Sequence, residues 1–151
     1  MTRPYSCFND GSVRDYQRKS TQWTMGKNFD ATGGFGPDLV TPDELPAGAS
    51  GLRLVSRLNG RIMQDSDTAD MIFDVASLIA ILSEGMTLEP GDVIATGTPS
   101  GVGYARTPPV FMRPRDEQSA LEHENPLRTK RSNRLSVSAV LTPRRGRNSR
   151  A

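Results

Sequence analysis

The sequence has little of the residues that build disulfides, zinc sites and catalytic triads. Cys7 is the only cysteine and His123 the only histidine among 151 residues. A single cysteine excludes an intrachain disulfide, and also a zinc site made of cysteine ligands from one chain. A single histidine in a polar segment removes the general base that most often activates a serine or cysteine nucleophile. Triad chemistry is therefore not expected within this chain.

Long apolar runs are also lacking. The longest apolar-rich stretch, residues 75–82, is interrupted by alanine and serine, and it is far shorter than the roughly 18 to 20 residues that a membrane span needs. Residues 1–5 contain one positive charge with no apolar segment behind it, so no secretion signal is indicated. We expect a soluble protein of the cytoplasm with no membrane partner.

Basic residues are concentrated at the C-terminal end. Residues 113–151 contain ten Lys or Arg and four Asp or Glu, a net charge of +6, whereas the whole chain has +2 and residues 1–112 therefore have −4. This end also has no aromatic residue, and its composition buries too little apolar surface to offset the entropy of ordering. The pattern predicts a folded domain over residues 1–112 and a basic, disordered tail over residues 113–151, with one strand-like run at 135–141.

Local patterns in residues 1–112 predict several strands and one firm helix. Residues 52–64 form two runs around Asn59-Gly60, the pair that type I′ hairpin turns favour. Apolar residues from Val75 recur at helical spacing, with Asp74 as the N-cap and Gly85 near the end, and this helix should pack on the sheet. Residues 93–96 predict a short strand, and Ser12 could cap a helical turn ending at residue 17. The fold class expected is a β-rich α+β domain.

Three polar segments place oxygen atoms and charge beside flexible backbone: residues 9–17, 22–29 and 95–101. Carboxylates such as Asp10 are hard ligands that suit Mg²⁺, Mn²⁺ or Ca²⁺. Lys27 lies between aromatic residues and could aim its charge at an anion, and residues 97–101 offer hydroxyls and backbone N–H groups. On residue types alone, a capped surface turn, a lysine reaching to water and an ordinary turn explain the same segments.

Taken together, these segments resemble the fumarylacetoacetate hydrolase family in order and spacing. The matching blocks are residues 9–17 (NDGSVRDYQ), 26–29 (GKNF), 39–44 (LVTPDE), 58–60 (LNG), 64–73 (QDSDTADMIF) and 88–103 (LEPGDVIATGTPSGVG). The resemblance covers residues 5–112, and the last block is highly specific. It implies the family's mixed β-roll or barrel fold, here as part of the C-terminal catalytic domain and closest in style to fumarylpyruvate hydrolases.

The resemblance also implies a chemistry. Members of the family cleave, decarboxylate, hydrate or isomerise β-diketo and 2-oxo acids from aromatic catabolism, using a divalent cation. By this resemblance Asp10 matches a metal ligand, Lys27 the catalytic lysine, and Gln17, Gly97 and Thr98 substrate-binding positions. The expected function is C–C bond hydrolysis of an oxo dicarboxylic acid such as fumarylpyruvate or fumarylacetoacetate, with Mg²⁺ preferred over Mn²⁺ or Ca²⁺. A homodimer is the expected assembly.

Two departures from the family pattern change these expectations. Where family members continue past a Pro-Gly-Asp turn into a strand-rich closing segment, this chain has Pro114-Arg115-Asp116 and then becomes arginine-rich. The Glu-x-Glu pair and the His-Glu unit that family members carry upstream of the Asp10 block are not in this sequence. We therefore expect a fold that is incomplete at its N-terminal side and an impaired activity. The alternatives are another reaction of the family, namely isomerisation, decarboxylation or hydration, or a non-catalytic interaction protein whose basic tail binds nucleic acid. Nucleic acid is the less favoured partner, because the tail lacks aromatic residues that stack on bases.

Overall fold

The computed structural model describes residues 4–122 and 138–141. In this part of the chain, six strands form two antiparallel three-stranded sheets, joined by two α-helices and several 3-10 turns. The strands are β1 (Tyr5–Phe8), β2 (Arg53–Leu58), β3 (Arg61–Asp67), β4 (Ile94–Ala95), β5 (Gln118–Glu122) and β6 (Ser138–Leu141). The helices are α1 (Arg14–Gln17) and α2 (Val75–Gly85). The predicted β-rich α+β class is confirmed.

The hairpin of β2 and β3 is the centre of one sheet, whose strand order is β3-β2-β5. Asn59 and Gly60 take positive φ values of 51° and 80°, as the two central residues of a type I′ turn require. The β2–β3 register shifts between Ser56 and Arg57, which marks a bulge at Met63 of β3. The predicted hairpin is confirmed, and the bulge bends β3 where it faces the site described below.

The second sheet has the order β1-β6-β4, and α2 packs beside it. Asp74 caps α2 by accepting a hydrogen bond from the backbone N–H of Ser77 at 2.7 Å, and the helix ends at Gly85. Val75 of α2 shares a buried cluster with Tyr5 of β1, Ala49 and Leu52. The predicted helix, its cap and its packing on the sheet are confirmed. No helix in residues 4–122 is both long and apolar enough to cross a membrane.

One predicted cap is wrong. Helix α1 begins at Arg14 with Val13 in the N-cap position and no side-chain cap. The hydroxyl of Ser12 instead donates to the backbone carbonyl of Asp10 at 3.2 Å. The Ser12 hydroxyl therefore bonds within its own loop and does not cap α1. The backbone N–H of Val13 donates to the carbonyl of Gly26.

Part of the segment predicted as a tail lies in these sheets. Strand β5 pairs with β2, and β6 pairs with β1 and β4. Asn59 of the hairpin turn holds the start of β5: its N–H donates to the carbonyl of Glu117 at 2.7 Å, and its side chain bonds Glu117 and Asp116. Long-range pairing thus orders residues whose composition predicts disorder. Residues 123–137 and 142–151 lie outside the described part, so the division at residue 112 stays a prediction.

Candidate functional site

An open cavity of about 140 Å³ lies between the β2–β3–β5 sheet, the loop after β1 and the loop after β4. Its walls combine three polar segments that are distant in sequence with an apolar rim. The lining residues are Asp10, Gly11, Ser12, Arg14, Lys27, Ser56, Leu58, Met63, Gln64, Thr98, Gly101, Val102, Gly103, Tyr104, Val110, Phe111, Met112 and Gln118.

Asp10 and Lys27 form an ion pair at the wall of this cavity. The Lys27 Nζ lies 2.5 Å from Asp10 Oδ2, and the two side chains are 30% and 33% exposed. The backbone fixes their spacing, because the N–H of Val13 donates to the carbonyl of Gly26 at 2.8 Å. The loop after β1 and the 3-10 helix Trp23–Lys27 are therefore tied together where both charges emerge.

Gln17 lies behind this wall. It is buried, and its Oε1 accepts a hydrogen bond from Arg14 Nη1 at 2.6 Å. Gly26 packs directly on it: a Cβ added to Gly26 would lie 2.6 Å from Gln17 Cβ and 2.8 Å from its Cα. Gln17 does not line the cavity, and its geometry suits holding Arg14 in place. Its predicted contact with substrate stays a prediction.

Thr98 is placed by a relay of hydrogen bonds that begins on the hairpin. The buried Ser56 hydroxyl donates to Gln64 Oε1 at 2.9 Å, and Gln64 Nε2 donates to Thr98 Oγ1 and to the carbonyl of Pro99, each at 2.8 Å. Because Thr98 Oγ1 accepts in this relay, its own O–H is left to donate to another acceptor. Gly97, with φ of 109°, lines a neighbouring cavity together with Thr98, and its substrate role is likewise untested.

The loop that follows Thr98 is fastened to the hairpin bulge. Arg106 donates from Nη2 to the carbonyl of Met63 and from Nε to the carbonyl of Gly101 at 3.1 Å. Gly101 has φ of 97°, and a Cβ there would lie 2.5 Å from the Met63 carbonyl oxygen. This contact requires glycine. The loop is thus held against β3 through backbone groups that only a residue without a side chain can approach.

Sequence patterns missed several of the residues that build the cavity. Arg14 lies on the wall with its guanidinium carbon 5.3 Å from the Tyr104 ring centre, and Gln64, Arg106 and Gln118 hold or line the remaining sides. The register of the hairpin could have indicated Gln64, because it pairs with Ser56 on the face that the alternation turns inward. No local pattern marks Gln118, because its strand falls in the segment predicted as a tail.

The charge of the lining favours an anionic ligand. Arg14 and Lys27 are its two cationic side chains and Asp10 its one carboxylate.

Outside the cavity lining, the pKa of Asp116 is held below its usual value, first by the side-chain N–H of Asn59 and then by the backbone N–H of Arg113. Asp116 thus stays ionised as it anchors the start of β5.

The described residues do not by themselves make a divalent-cation site. No group of three His, Cys, Asp or Glu side chains in residues 4–122 could hold a metal ion. Asp10 could provide one ligand, but its Oδ2 is already bound to Lys27, and Mg²⁺ needs six oxygen ligands in near-octahedral geometry. The predicted role of Asp10 as a metal ligand and the preference for Mg²⁺ remain predictions.

Comparison with known proteins agrees with the family resemblance. The family model described as "Fumarylacetoacetate (FAA) hydrolase C-terminal" matches residues 3–124. Oxaloacetate tautomerase YisK of Bacillus subtilis is 45% identical over 113 residues, which are 75% of this chain and 37% of that protein. The mitochondrial oxaloacetate tautomerase Fahd2a of Rattus norvegicus is 46% identical over 114 residues, 75% of this chain and 36% of that protein. This chain therefore spans a little over a third of the curated relatives it matches.

Two solved structures show the same fold. A fumarylacetoacetate hydrolase from the psychrophile Exiguobacterium antarcticum superposes with a TM-score of 0.75 at 34% identity, over 95% of this chain and 47% of that chain. A 5-carboxymethyl-2-hydroxymuconate delta-isomerase from Mycobacterium smegmatis gives a TM-score of 0.68 at 33% identity, over 93% and 47% of the two chains. The fold of this chain is thus shared with part of two larger proteins.

Proposed function

Since this chain belongs to the fumarylacetoacetate hydrolase family, we propose that its cavity binds a 2-oxo dicarboxylic acid and promotes its enolisation. The family's enzymes supply the general expectation of catalysis. The main supporting observation is that Lys27, whose Nζ is paired with Asp10 at 2.5 Å, and Thr98, whose hydroxyl is left free to donate by the bond from Gln64, line one cavity. Both groups are hydrogen-bond donors of the kind that stabilise a ligand oxygen as it gains negative charge.

The chemistry rests on the charge that an oxo acid develops as it enolises. Breaking a C–H bond next to the carbonyl leaves an enolate, whose negative charge resides largely on the carbonyl oxygen. Fixed donors aimed at that oxygen stabilise it more than they stabilise the neutral ketone. Lys27 supplies a positive charge and an N–H donor, and Thr98 supplies an O–H donor. Arg14 adds a second cation for a carboxylate of the acid.

Asp10 holds the lysine in position for this role. Its carboxylate orients the Nζ–H bonds, and one of those bonds can protonate the enolate oxygen, so that one C–H bond is broken and one O–H bond is formed. The carbon-bound proton passes to solvent water in the open cavity, and a proton from solvent then restores the Lys27 ammonium. The family's divalent cation, with Mg²⁺ preferred, would add Lewis-acid stabilisation when bound, and Asp10 is the residue of this chain proposed to bind it.

Tautomerisation or isomerisation is favoured over hydrolysis within this class. The curated relatives carry names of oxaloacetate tautomerases, and one structural relative is named as an isomerase. C–C hydrolysis of fumarylpyruvate or fumarylacetoacetate also needs a group that activates water, and the described lining has neither a histidine nor a second carboxylate. Hydrolysis is the second candidate, because the E. antarcticum structure is named as a fumarylacetoacetate hydrolase.

The oligomeric state, the partners and the cellular location are also proposals. A homodimer follows from the family expectation alone, and nucleic acid remains the less favoured partner. The cytoplasm is proposed from the sequence, whereas the rat relative is named as mitochondrial.

The test compares two lysines in the full chain. The rate of enol-to-keto conversion of oxaloacetate is followed by loss of the enol's ultraviolet absorbance, and binding of oxalate, a planar dianion resembling the enolate, is measured by calorimetry. Lys27→Ala should lower the rate by about 100-fold and weaken oxalate binding. Lys19→Ala is the matched control, because Lys19 lies 3.7 Å from the Tyr16 ring centre and outside the cavity. Equal rates and equal oxalate affinities in the two variants would contradict the proposal.

A further inference from the structure

Two arginines of the α1 turn converge on one tyrosine at the cavity wall. The guanidinium carbon of Arg14 lies 5.3 Å from the Tyr104 ring centre, and that of Arg18 lies 4.3 Å from it. Both distances are within the roughly 6 Å over which a cation is attracted to the face of an aromatic ring. Arg14 and Tyr104 line the cavity, whereas Arg18 does not. Tyr104 thus joins the loop after β4 to the start and the end of α1.

Two like charges in this position need a compensating contact. Side chains four residues apart lie on the same side of a helical turn, and like charges there repel each other. Among the residues that the structure describes, neither Arg14 nor Arg18 forms an ion pair with a carboxylate. The Tyr104 ring attracts both cations and so takes the place of an acidic partner. Arg14 therefore lines the cavity with its positive charge unpaired.

The loop that carries Tyr104 is held in place by its own backbone. Tyr104 lies in the 3-10 turn Gly103–Ala105, and the carbonyl of Gly103 accepts a hydrogen bond from the N–H of Val110 at 2.9 Å. A Cβ on Gly103 would collide with the carbonyl oxygen of Val110, so the loop closes through a contact that only glycine permits. The Phe111 ring packs edge-on to the Tyr104 ring, with centres 6.4 Å apart. The tyrosine ring is therefore fixed independently of α1.

Arg14 has hydrogen-bond donors left for a ligand. A guanidinium carries five N–H donors, and within the described residues Arg14 uses one of them, from Nη1 to Gln17 Oε1 at 2.6 Å. Arg14 is only half-buried and lines the cavity, so a carboxylate in the cavity can bind its remaining N–H groups. A guanidinium binds a carboxylate best through two parallel bonds. Such a contact depends on orientation, and hence on Gln17 and Tyr104, which hold the guanidinium.

We propose that Tyr104 is a positioning residue whose ring holds Arg14 for a second carboxylate, so that the cavity prefers an oxo dicarboxylic acid over an oxo monocarboxylic acid. This role rests on the proposed function, because the acid must first bind in the cavity that Arg14 lines. Without the ring, the attraction that offsets the repulsion between Arg14 and Arg18 is lost, and Arg14 samples more rotamers. The two-bond contact then forms less often, and the preference for the second carboxylate falls.

The test compares oxaloacetate with pyruvate, two oxo acids that differ by one carboxylate, titrated calorimetrically into the full chain. Wild-type protein should bind oxaloacetate at least about tenfold more tightly, as expected for a hydrogen bond to a charged group. Tyr104→Leu should lower this ratio about threefold, and Tyr104→Phe, which keeps the ring, should restore it. Arg14→Gln should lower the ratio about tenfold, and adding Tyr104→Leu to it should lower the ratio no further, because both changes remove one contact.

Tyr16→Leu is the matched control. Tyr16 also lies on α1 and also contacts a cation, with Lys19 Nζ 3.7 Å from its ring centre, but it does not line the cavity. This variant should keep the wild-type ratio. A general loosening of α1 would weaken both acids together and leave the ratio unchanged, so the ratio distinguishes positioning from stability.

Loss of the ratio in Tyr104→Leu, its return in Tyr104→Phe and no further loss in the double variant support the role. The role is overturned if wild-type protein has no preference, if Tyr104→Leu keeps it, if Tyr104→Phe does not restore it, if the two losses add, or if Tyr16→Leu loses as much. In those cases Lys27-dependent binding of oxalate leaves the proposed function standing. If oxaloacetate, pyruvate and oxalate all fail to bind, both proposals fail together.

Discussion

Gly26 is the residue whose replacement should most directly separate the two halves of the ion-pair wall. A Cβ at this position would lie 2.6, 2.8 and 2.9 Å from Gln17 Cβ, Cα and N. Non-bonded carbon atoms prefer separations of about 3.5 to 4.0 Å, so α1 would have to retreat by about 1 Å. Two of the three contacts are to backbone, which cannot rotate away. Such overpacking costs about 1 to 3 kcal/mol.

The same displacement should reach the site. Gly26 accepts the hydrogen bond from Val13 that sets the spacing of the two loops, and Lys27 follows it in the chain. Moving α1 away by about 1 Å would lengthen the 2.5 Å contact between Lys27 and Asp10 beyond hydrogen-bond distance. Gly26→Ala should therefore lower both the free energy of unfolding and the affinity for oxalate.

The assay is urea denaturation of the full chain, with Gly85→Ala as the control. Gly85 ends α2 with no atom within 4 Å of the added Cβ and no positive φ. Its replacement by alanine should stabilise the protein by about 0.5 to 1 kcal/mol. A further variant, Gly26→Ala with Gln17→Ala, should not recover stability, since Gln17 Cα and N still obstruct. If Gly26→Ala unfolds at the same urea concentration as wild type, the packing argument is wrong.

Three further results are expected. Thr68→Val should cost about 1 to 3 kcal/mol in urea denaturation, because the buried Thr68 hydroxyl donates to one backbone carbonyl and accepts from one backbone N–H; an unchanged midpoint would contradict this. Leu54→Ala should lower the free energy of unfolding by about 3 kcal/mol, since Leu54 is buried with Cys7. A loss below about 1 kcal/mol would show that neighbouring side chains fill the space left by Leu54. The pKa of Asp116 is lowered by its bond from Asn59, so its stabilisation is present above the unfolded value of 3.8 and is lost as the pH falls through the folded pKa. Asp116→Asn should thus be less stable than wild type at pH 7, and this gap should narrow as the pH falls below 3.8; a pH-independent gap would refute this.

Local signals predicted the hairpin and α2, because the residues that decide them are neighbours in sequence. Asn59 and Gly60 adopt the positive φ values that their side chains permit, and Asp74 caps the helix it precedes. The sequence also indicated, through the family resemblance, that Asp10, Lys27 and Thr98 would meet, and the structure brings all three to one cavity. Whether they act as predicted is a matter for the experiments above.

Long-range pairing accounts for what the sequence did not reveal. Strand β5 has few apolar residues, and its order comes from β2 and from Asn59, which lies 58 positions before Glu117. The relay from Ser56 through Gln64 to Thr98 likewise joins segments that no local pattern connects. Ser12 was misjudged because a hydrogen bond to Asp10 competes with helix capping, and local propensity does not rank such alternatives.

The exposed turn at Asn59 and Gly60 resembles the loop tips at which protein engineers insert epitopes or labels. In this molecule the turn is a fastening point, because the backbone and the side chain of Asn59 both bind the approach to β5. Lengthening it would release the third strand of the sheet and, with that strand, the floor beneath the ligand. A peptide inserted there would disturb the assembly of the sheet, so this turn is a poor site for a purification or imaging tag.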